Sequence, residues 1–165
     1  MRLIYWSSAW TIAADFLAWM VIHLSISYAA YRIPVAWFDV DRPLFRTRQW
    51  EKNGQIWQQL TRVRSWKRHL PDGAALFRQG FRKKTMQRDQ GWYRLFVLES
   101  RRAELTHWIS LLPAPLFFLW NPVWVGWIMI GYAILVNLPC VIAQRYNRPR
   151  FAARLNKAGH HTENG

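Results

Sequence analysis

A carboxylate and an imidazole lie three residues apart, at Glu104 and His107. Residues at this spacing share one face of a helix, so the two side chains can touch. A carboxylate partner holds one imidazole tautomer and leaves the other ring nitrogen to take a proton from a hydroxyl group. The pair is therefore a candidate general base with its orienting group, although the same spacing also supports an ordinary hydrogen bond at a helix end. Ser110, one helical turn after His107, is an alternative nucleophile that would form an acyl-enzyme, but direct attack is preferred.

Three arginines follow the last apolar segment, at Arg145, Arg148 and Arg150, with Asn147 among them. Guanidinium groups make fork-like contacts with phosphate or carboxylate, so this run is a candidate site for a charged substrate group. Basic residues after a membrane crossing also act as a stop-transfer anchor, and that interpretation stays open.

Polar residues inside the apolar segments are further candidates, because an unpaired polar group is costly in a membrane. Asn137 lies two residues before Pro139, and functional and helix-packing explanations of this pair are equally open. Asp15 and His23 lie along one stripe of the first apolar segment, but two helical turns separate them, so they cannot pair directly. We expect no metal site and no disulfide, because Cys140 is the single cysteine and no second Glu-x-x-His motif accompanies the first.

The charge of the chain is strongly basic and unevenly distributed. Lys and Arg number 23 against 9 Asp and Glu, which in a soluble protein would indicate nucleic-acid binding. Here the cations are concentrated between Arg32 and Arg102 and after Arg145, beside long uncharged segments, where the positive-inside rule places cytoplasmic residues. We therefore expect membrane lipids with anionic head groups, and no nucleic acid, as the default partner of the basic surface. The 12 Trp residues agree, because amphipathic rings are enriched at membrane boundaries.

Two segments are apolar enough to enter a membrane. Residues 3–31 carry one formal charge and predict a transmembrane helix, with a cleaved signal peptide as the alternative. Residues 105–144 are uncharged but are interrupted by prolines and by the turn signal Asn121-Pro122. Within them, Trp108 to Trp120 is too short to cross alone, whereas Val123 to Ala143 is long enough. Because both flanks are basic, we expect a re-entrant or transmembrane helical hairpin that returns to the cytoplasmic side.

The basic segment 32–104 contains a helical pattern. Apolar residues recur at helical spacing from Ile56 to Leu70, with Arg and Lys on much of the remaining surface. This predicts an amphipathic helix that lies on the membrane and ends at the turn Pro71-Asp72-Gly73, with a linker near Lys83 to Gln90. With the basic tail 145–165, the segments predict one all-α integral membrane domain of 165 residues. We expect a multi-pass protein of the cell (inner) membrane, with the N-terminus outside and the basic regions in the cytoplasm.

Two dense motifs bracket the second apolar segment: RAELTHWIS from Arg102 to Ser110, followed by Pro113, and QRYNRPR from Gln144 to Arg150. Sparser motifs precede them at Arg32-Ile33-Pro34, Glu51-Lys52 with Gly54 and Trp57, Val63-Arg64 with Trp66-Lys67, and Asp72-Gly73. From about Arg32 to Arg150 the chain resembles the glycosyl-4,4'-diaponeurosporenoate acyltransferase family of staphyloxanthin-type carotenoid synthesis.

The resemblance implies a small membrane enzyme that esterifies the primary (C6) sugar hydroxyl of a glycosylated apocarotenoid with a fatty acyl chain. No cofactor is implied beyond the co-substrate, which would be acyl-CoA or an acyl carrier protein. The apolar segments would hold the polyene and the acyl chain, and the sugar would lie near His107. In this interpretation the substrates contact Trp66, Lys67, Asp72, Arg101, Arg102, Asn137, Arg145, Asn147, Arg148 and Arg150.

The mechanistic hypothesis makes His107 the general base on the sugar hydroxyl and Glu104 its orienting partner. Arg145 or Asn147 would donate to the developing oxyanion. The main rival is a non-enzymatic membrane scaffold that gathers other carotenoid enzymes and binds anionic lipid through its basic surface.

Overall fold

The structure is a computed structural model that describes residues 3–70 and 90–162, with side chains as far as Asn156. Every regular element in these ranges is helical, so the predicted all-α class is confirmed there. The α-helices are α1 (Ser8–Arg32), α2 (Gln55–Thr61), α3 (Val63–Trp66), α4 (Gln90–Leu111) and α5 (Val123–Thr162). Short 3₁₀ helices occupy Val35–Phe38, Gln49–Glu51, Lys67–His69 and Ala114–Leu119. The predicted turn Pro71-Asp72-Gly73 and all but the last residue of the predicted linker lie outside the described ranges.

The chain divides into two compact units. The first, here called the apolar unit, comprises Met1–Ile33 and Leu105–Pro139. The second, here called the basic unit, comprises Pro34–Glu104 and Cys140–Gly165. The sequence predicted one membrane-embedded domain, and whether the two units function as one stays a prediction.

Among the residues that the structure describes, two helices are long and apolar enough to cross a membrane, namely α1 and the Val123–Asn156 part of α5. Helix α1 covers residues 8–31 of the first predicted segment, 3–31, and α5 contains the predicted crossing Val123 to Ala143. Much of the apolar surface of α1 faces outward, with Trp10 72% and Phe16 75% exposed. In water this exposure would be unfavourable, whereas lipid is the solvent that suits such a surface.

A bend separates α4 from α5. Helix α4 ends at Leu111, and Pro113 and Pro115 follow, which lack the N–H groups that an α-helix needs. The chain therefore continues as the 3₁₀ helix Ala114–Leu119 and resumes α-helical structure after Pro122. The segment from Trp108 to Trp120, which the sequence analysis found too short to cross alone, is thus part α-helix and part 3₁₀ helix. Placement of this bend as a re-entrant segment in a membrane stays a prediction.

Helix α1 is attached to this bend within the apolar unit. The Oδ1 atom of Asp15 accepts hydrogen bonds from Trp120 Nε1 at 2.8 Å and from Asn121 Nδ2 at 2.7 Å. Trp19, one turn further along α1, stacks on Phe117 with 4.5 Å between ring centroids. Asp15 is therefore a buried carboxylate with two donors, which explains how an apolar helix tolerates it. His23 also stacks on Trp19, with 5.3 Å between the ring centroids.

The prediction of a single amphipathic helix from Ile56 to Leu70 is wrong, because the helix is interrupted at Arg62. Arg62 has a left-handed conformation with φ 51°, and α3 begins immediately after it. Side chains satisfy the backbone groups that a continuous helix would pair: Gln58 Oε1 accepts from the N–H of Arg64 at 3.0 Å, and Trp66 Nε1 donates to the carbonyl of Thr61 at 2.7 Å. Side-chain bonds of this kind compete with the helical pattern.

The apolar residues of this region pack on α5 within the basic unit. Val63 is fully buried with Ile142 and Tyr146, and Trp57 and Trp66 pack against them. Much of the apolar side of this segment is thus occupied by protein. The position of the segment on a membrane surface stays a prediction.

Gly54 precedes α2 where the backbone approaches α5. Its φ is +80°, and a Cβ atom there would lie 2.8 Å from the backbone oxygen of Arg145 and 3.1 Å from that of Tyr146. Glycine is needed for both reasons, because other residues disfavour this φ and would collide with backbone that cannot move aside.

We expect Gly54→Ala to lower the free energy of unfolding by about 1–3 kcal/mol, through overpacking and backbone strain. Gly131→Ala is the matched control, because nothing lies within 4 Å of the position that a Cβ atom would take at Gly131 in α5. That change should leave stability the same or raise it by about 0.5–1 kcal/mol. Thermal unfolding of the purified variants in detergent measures both, and equal melting temperatures would contradict the close approach.

Candidate functional site

Four charged side chains form a buried network in the basic unit. Glu104 Oε1 accepts from Arg145 Nε at 2.7 Å, and its Oε2 accepts from Arg148 Nη1 at 2.5 Å. Glu51 Oε1 accepts from Arg145 Nη1 at 2.6 Å, and its Oε2 accepts from Trp57 Nε1 at 3.0 Å. Both carboxylates are 0% exposed. The network joins α4, α5 and the 3₁₀ helix Gln49–Glu51.

The charges of this network cancel, because two carboxylates face two guanidinium groups. Burying an ion costs several kcal/mol unless close partners and further hydrogen bonds replace its water. Those partners are present, since Arg145 also donates from Nη2 to the backbone oxygen of Leu44 at 2.8 Å. The described contacts of Arg145 and Arg148 are thus with protein groups. That both arginines contact substrate, and that Arg145 donates to an oxyanion, stay predictions.

His107 and Asn137 are brought together in the apolar unit, although 30 positions separate them in the sequence. His107 Nδ1 lies 2.9 Å from Asn137 Oδ1, and Asn137 Nδ2 donates to the carbonyl of Ala133 at 2.9 Å. Because the amide NH₂ is used by that carbonyl, the Oδ1 atom is an acceptor and Nδ1 of His107 is the donor. This tautomer leaves a lone pair on Nε2, as a general base requires.

The orienting group found on His107 is therefore Asn137, which the sequence predicted as a substrate contact. Glu104, predicted for this task, has Arg145 and Arg148 as the described partners of its two oxygens. Its role beside His107 stays a prediction. Ser110, the alternative nucleophile, is 2% exposed and donates to the carbonyl of Thr106 at 2.9 Å, which is a common helix contact and no activation of the hydroxyl.

A second group of polar side chains in the basic unit surrounds the buried ring of Tyr146. Arg64 Nε donates to the Tyr146 hydroxyl at 2.6 Å. Lys67 Nζ lies 4.7 Å from the ring centroid and donates to Asn147 Oδ1 at 2.6 Å. The guanidinium carbon of Arg150 lies 3.7 Å from the same centroid. Burial lowers the pKa of Lys67, the Tyr146 hydroxyl opposes this shift, and the charges of Arg150 and Arg64 add to it.

The other predicted substrate contacts lie elsewhere. Arg101 Nη1 donates to the carbonyl of Phe38 at 2.7 Å, and Arg102 Nη1 donates to Glu99 Oε1 at 2.8 Å, so the described contacts of both arginines are within the basic unit. Trp66 contacts α5, and Asp72 lies outside the described residues. Within the described ranges, no group of three or more His, Cys, Asp or Glu side chains could hold a metal ion.

Sequence reasoning gave no role to Glu51, Arg64 or Tyr146. The signal for Glu51 was available, because a chain with 9 carboxylates against 23 cations has few acceptors, and Glu51 lies in one of the sparser motifs. Its partner could not be identified, since 94 positions separate it from Arg145. Tyr146 lies inside the arginine run, but the sequence does not show that Arg64 and Lys67, from a distant segment, contact its ring and hydroxyl.

Comparisons with known proteins agree on one family. A family model described as glycosyl-4,4'-diaponeurosporenoate acyltransferase matches residues 41–157. A protein of that name from Staphylococcus aureus (strain bovine RF122 / ET3-1) is 36% identical over 140 residues, which are 83% of this chain and 83% of the relative. One from Staphylococcus haemolyticus (strain JCSC1435) is 35% identical over 133 residues, covering 80% and 77%. No solved structure matches the chain.

We expect Glu104→Gln to destabilise the protein by about 3–5 kcal/mol, because it leaves two buried guanidinium groups with one charged partner and turns an amide N–H toward one of them. The measurement is thermal or denaturant unfolding in detergent. Asp41→Asn is the control, since Asp41 also contacts an arginine, Arg46 at 2.9 Å, but its side chain is 58% exposed. An exposed pair contributes about 0–1 kcal/mol, so equal losses in the two variants would contradict the network's role.

Proposed function

The chain belongs to the glycosyl-4,4'-diaponeurosporenoate acyltransferase family, and on that premise we propose that it transfers a fatty acyl chain to the primary (C6) sugar hydroxyl of a glycosylated apocarotenoid. The observation that carries the proposal is the family match over residues 41–157, which include both His107 and Asn137. The acyl donor is a thioester of coenzyme A or of an acyl carrier protein. No cofactor is proposed beyond this co-substrate.

The chemical step assigns the proton transfer to His107. The sugar hydroxyl oxygen attacks the thioester carbonyl while Nε2 of His107 takes the hydroxyl proton. The tetrahedral intermediate collapses, its C–S bond breaks, and the thiolate leaves with the proton from the imidazolium. The tautomer inferred from the contact with Asn137 supports this step, because it makes Nε2 the ring nitrogen that accepts.

Asn137 is proposed as a positioning residue. Its amide is buried and fixed by the carbonyl of Ala133, so it holds the imidazole in one orientation and one tautomer. When Nε2 gains the proton, Nδ1–H continues to donate to a neutral amide oxygen. A carboxylate in this position would stabilise the imidazolium more strongly. With the neutral amide, the imidazolium gives its proton to the leaving thiolate more readily.

The membrane arrangement completes the proposal. The helices α1 and α5 cross or enter the cell (inner) membrane, and the basic regions 32–104 and 145–165 lie on the cytoplasmic side, as the positive-inside rule favours. Both substrates carry long apolar chains, so a membrane enzyme meets them where they dissolve.

A cysteine introduced near the C-terminus should react only with reagents that enter the cell. Its labelling by an impermeant external reagent would contradict this orientation.

We expect His107→Ala to lower kcat by about 10²–10⁴-fold, the usual contribution of a general base. The assay supplies the purified full chain in detergent with glycosyl apocarotenoid and acyl-CoA, and mass spectrometry measures the ester. His69→Ala is the control, because His69 is exposed on the 3₁₀ helix Lys67–His69. Full activity of His107→Ala would exclude the base, and absence of ester from the unmodified protein with either type of donor would favour a scaffold.

Asn137 is tested by two substitutions in the same assay. Asn137→Leu removes the acceptor for Nδ1–H and should lower kcat, whereas Asn137→Asp keeps an acceptor and should retain more activity. With the aspartate, a stabilised imidazolium should move the acidic limb of the pH–rate profile to higher pH. Equal activity and equal pH profiles in the two variants would show that Asn137 has a packing role only.

A further inference from the structure

Helix α5 carries arginines in two different environments within the basic unit: some pair with carboxylates, and one contacts neutral groups. Arg145 and Arg148 face the carboxylates of Glu51 and Glu104. Arg150, less than one turn beyond Arg148, lies over the ring of Tyr146 and donates to the Tyr146 carbonyl. None of the carboxylates in the described ranges forms an ion pair with Arg150.

The same is true of the two cations that share this ring. Arg64 and Lys67 contact Tyr146 and Asn147, which are neutral groups, and form no ion pair with a described carboxylate. Three positive charges therefore converge on one aromatic ring without a described anion. The same unit does contain the buried carboxylates Glu51 and Glu104, but these pair with Arg145 and Arg148. An uncompensated group of like charges is unfavourable, and a bound anion would remove that cost.

We propose that Arg64, Lys67 and Arg150 form a subsite for a phosphate or diphosphate group, with Tyr146 and Asn147 holding the three cations in place. The assignment of that phosphate to the acyl donor rests on the proposed acyl transfer. Coenzyme A and the prosthetic group of acyl carrier proteins both carry phosphate esters, so either donor would present the same chemistry. An anionic lipid head group is the other source of such a phosphate.

The residue types suit a phosphate better than a carboxylate. Two guanidinium groups offer several N–H donors in fixed planes, and an ammonium adds a point charge, which together match an anion with three or more oxygens. The ring of Tyr146 orients Arg150 and Lys67 by cation–π contact, so the cations are arranged before the anion binds. Lys67 is half-buried, and its lowered pKa makes it a sensitive reporter of an added negative charge.

Competitive amine acylation of the purified full chain in detergent tests the subsite without requiring turnover. A bound anion should raise the pKa of Lys67, so that at a fixed, mildly alkaline pH less of its amine is free. One unit of pKa corresponds to a labelling rate lower by about 10-fold. We expect inorganic pyrophosphate to slow the labelling of Lys67, measured by peptide mass spectrometry. Lys52 is the internal control, because it is exposed and lies outside the cluster.

Two comparisons identify the source of the phosphate. Coenzyme A should protect Lys67 as pyrophosphate does, and nanodiscs containing phosphatidylglycerol should protect it no more than nanodiscs of phosphatidylcholine. Protection by phosphatidylglycerol without protection by coenzyme A would overturn the assignment to the donor. Unchanged labelling of Lys67 with every probe, or equal slowing of Lys52, would overturn the subsite itself.

Charge variants give an independent measure. Arg64→Gln and Arg150→Gln should each reduce the protection by pyrophosphate and raise the KM for acyl-CoA more than they lower kcat. Arg46→Gln is the matched control, since it removes the same charge from an arginine whose side chain is 60% exposed. If the cluster variants fold poorly, the labelling of the unmodified protein still decides. Protection of Lys67 in a protein that forms no ester would retain the subsite and contradict the proposed function alone.

Discussion

The basic unit depends on the pairing of four charges, of which three are buried and one, Arg145, has a side chain that is 12% exposed. Glu51 and Glu104 are fully buried, and the guanidinium groups of Arg145 and Arg148 are their partners. Each of these ions alone would be costly to bury, but together they are neutral and hydrogen-bonded to one another. The network therefore requires that segments distant in the sequence lie side by side. This requirement fixes the approach of the Gln49–Glu51 helix to α5, and with it the place where only Gly54 fits.

The network also determines what the rest of α5 can do. It uses the two most deeply placed carboxylates of the described residues, so the cations around Tyr146 are left with neutral neighbours. The same helix thus carries two arginines that pair with carboxylates, Arg145 and Arg148, and one, Arg150, whose described neighbours are neutral or cationic. Sequence alone shows only a run of basic residues, in which these two environments look identical.

The broad architecture followed from the sequence because it depends on local properties. Hydropathy located α1 and α5, and the prolines at 113 and 115 located the bend after Leu111. The break at Arg62 was not predictable from periodicity, since it depends on hydrogen bonds from Gln58 and Trp66 that replace helical ones. For the candidate site, residue type and spacing singled out His107 and Asn137, but their contact arises only through the fold, because 30 positions separate them. The spacing of Glu104 could not show its pairs with Arg145 and Arg148, which come from a distant segment.

The contact of Asp15 with the bend has a consequence for how the protein is made. Synthesis delivers Asp15 more than a hundred residues before Trp120 and Asn121, its hydrogen-bond donors, exist. During that interval a carboxylate lies in an apolar helix without these donors, at a cost of about 3 kcal/mol at the centre of a membrane. Completion of the chain supplies the two donors that α1 lacks while it is alone. The carboxylate of Asp15 is thus stabilised by the last part of the chain to be made, and not by its own helix.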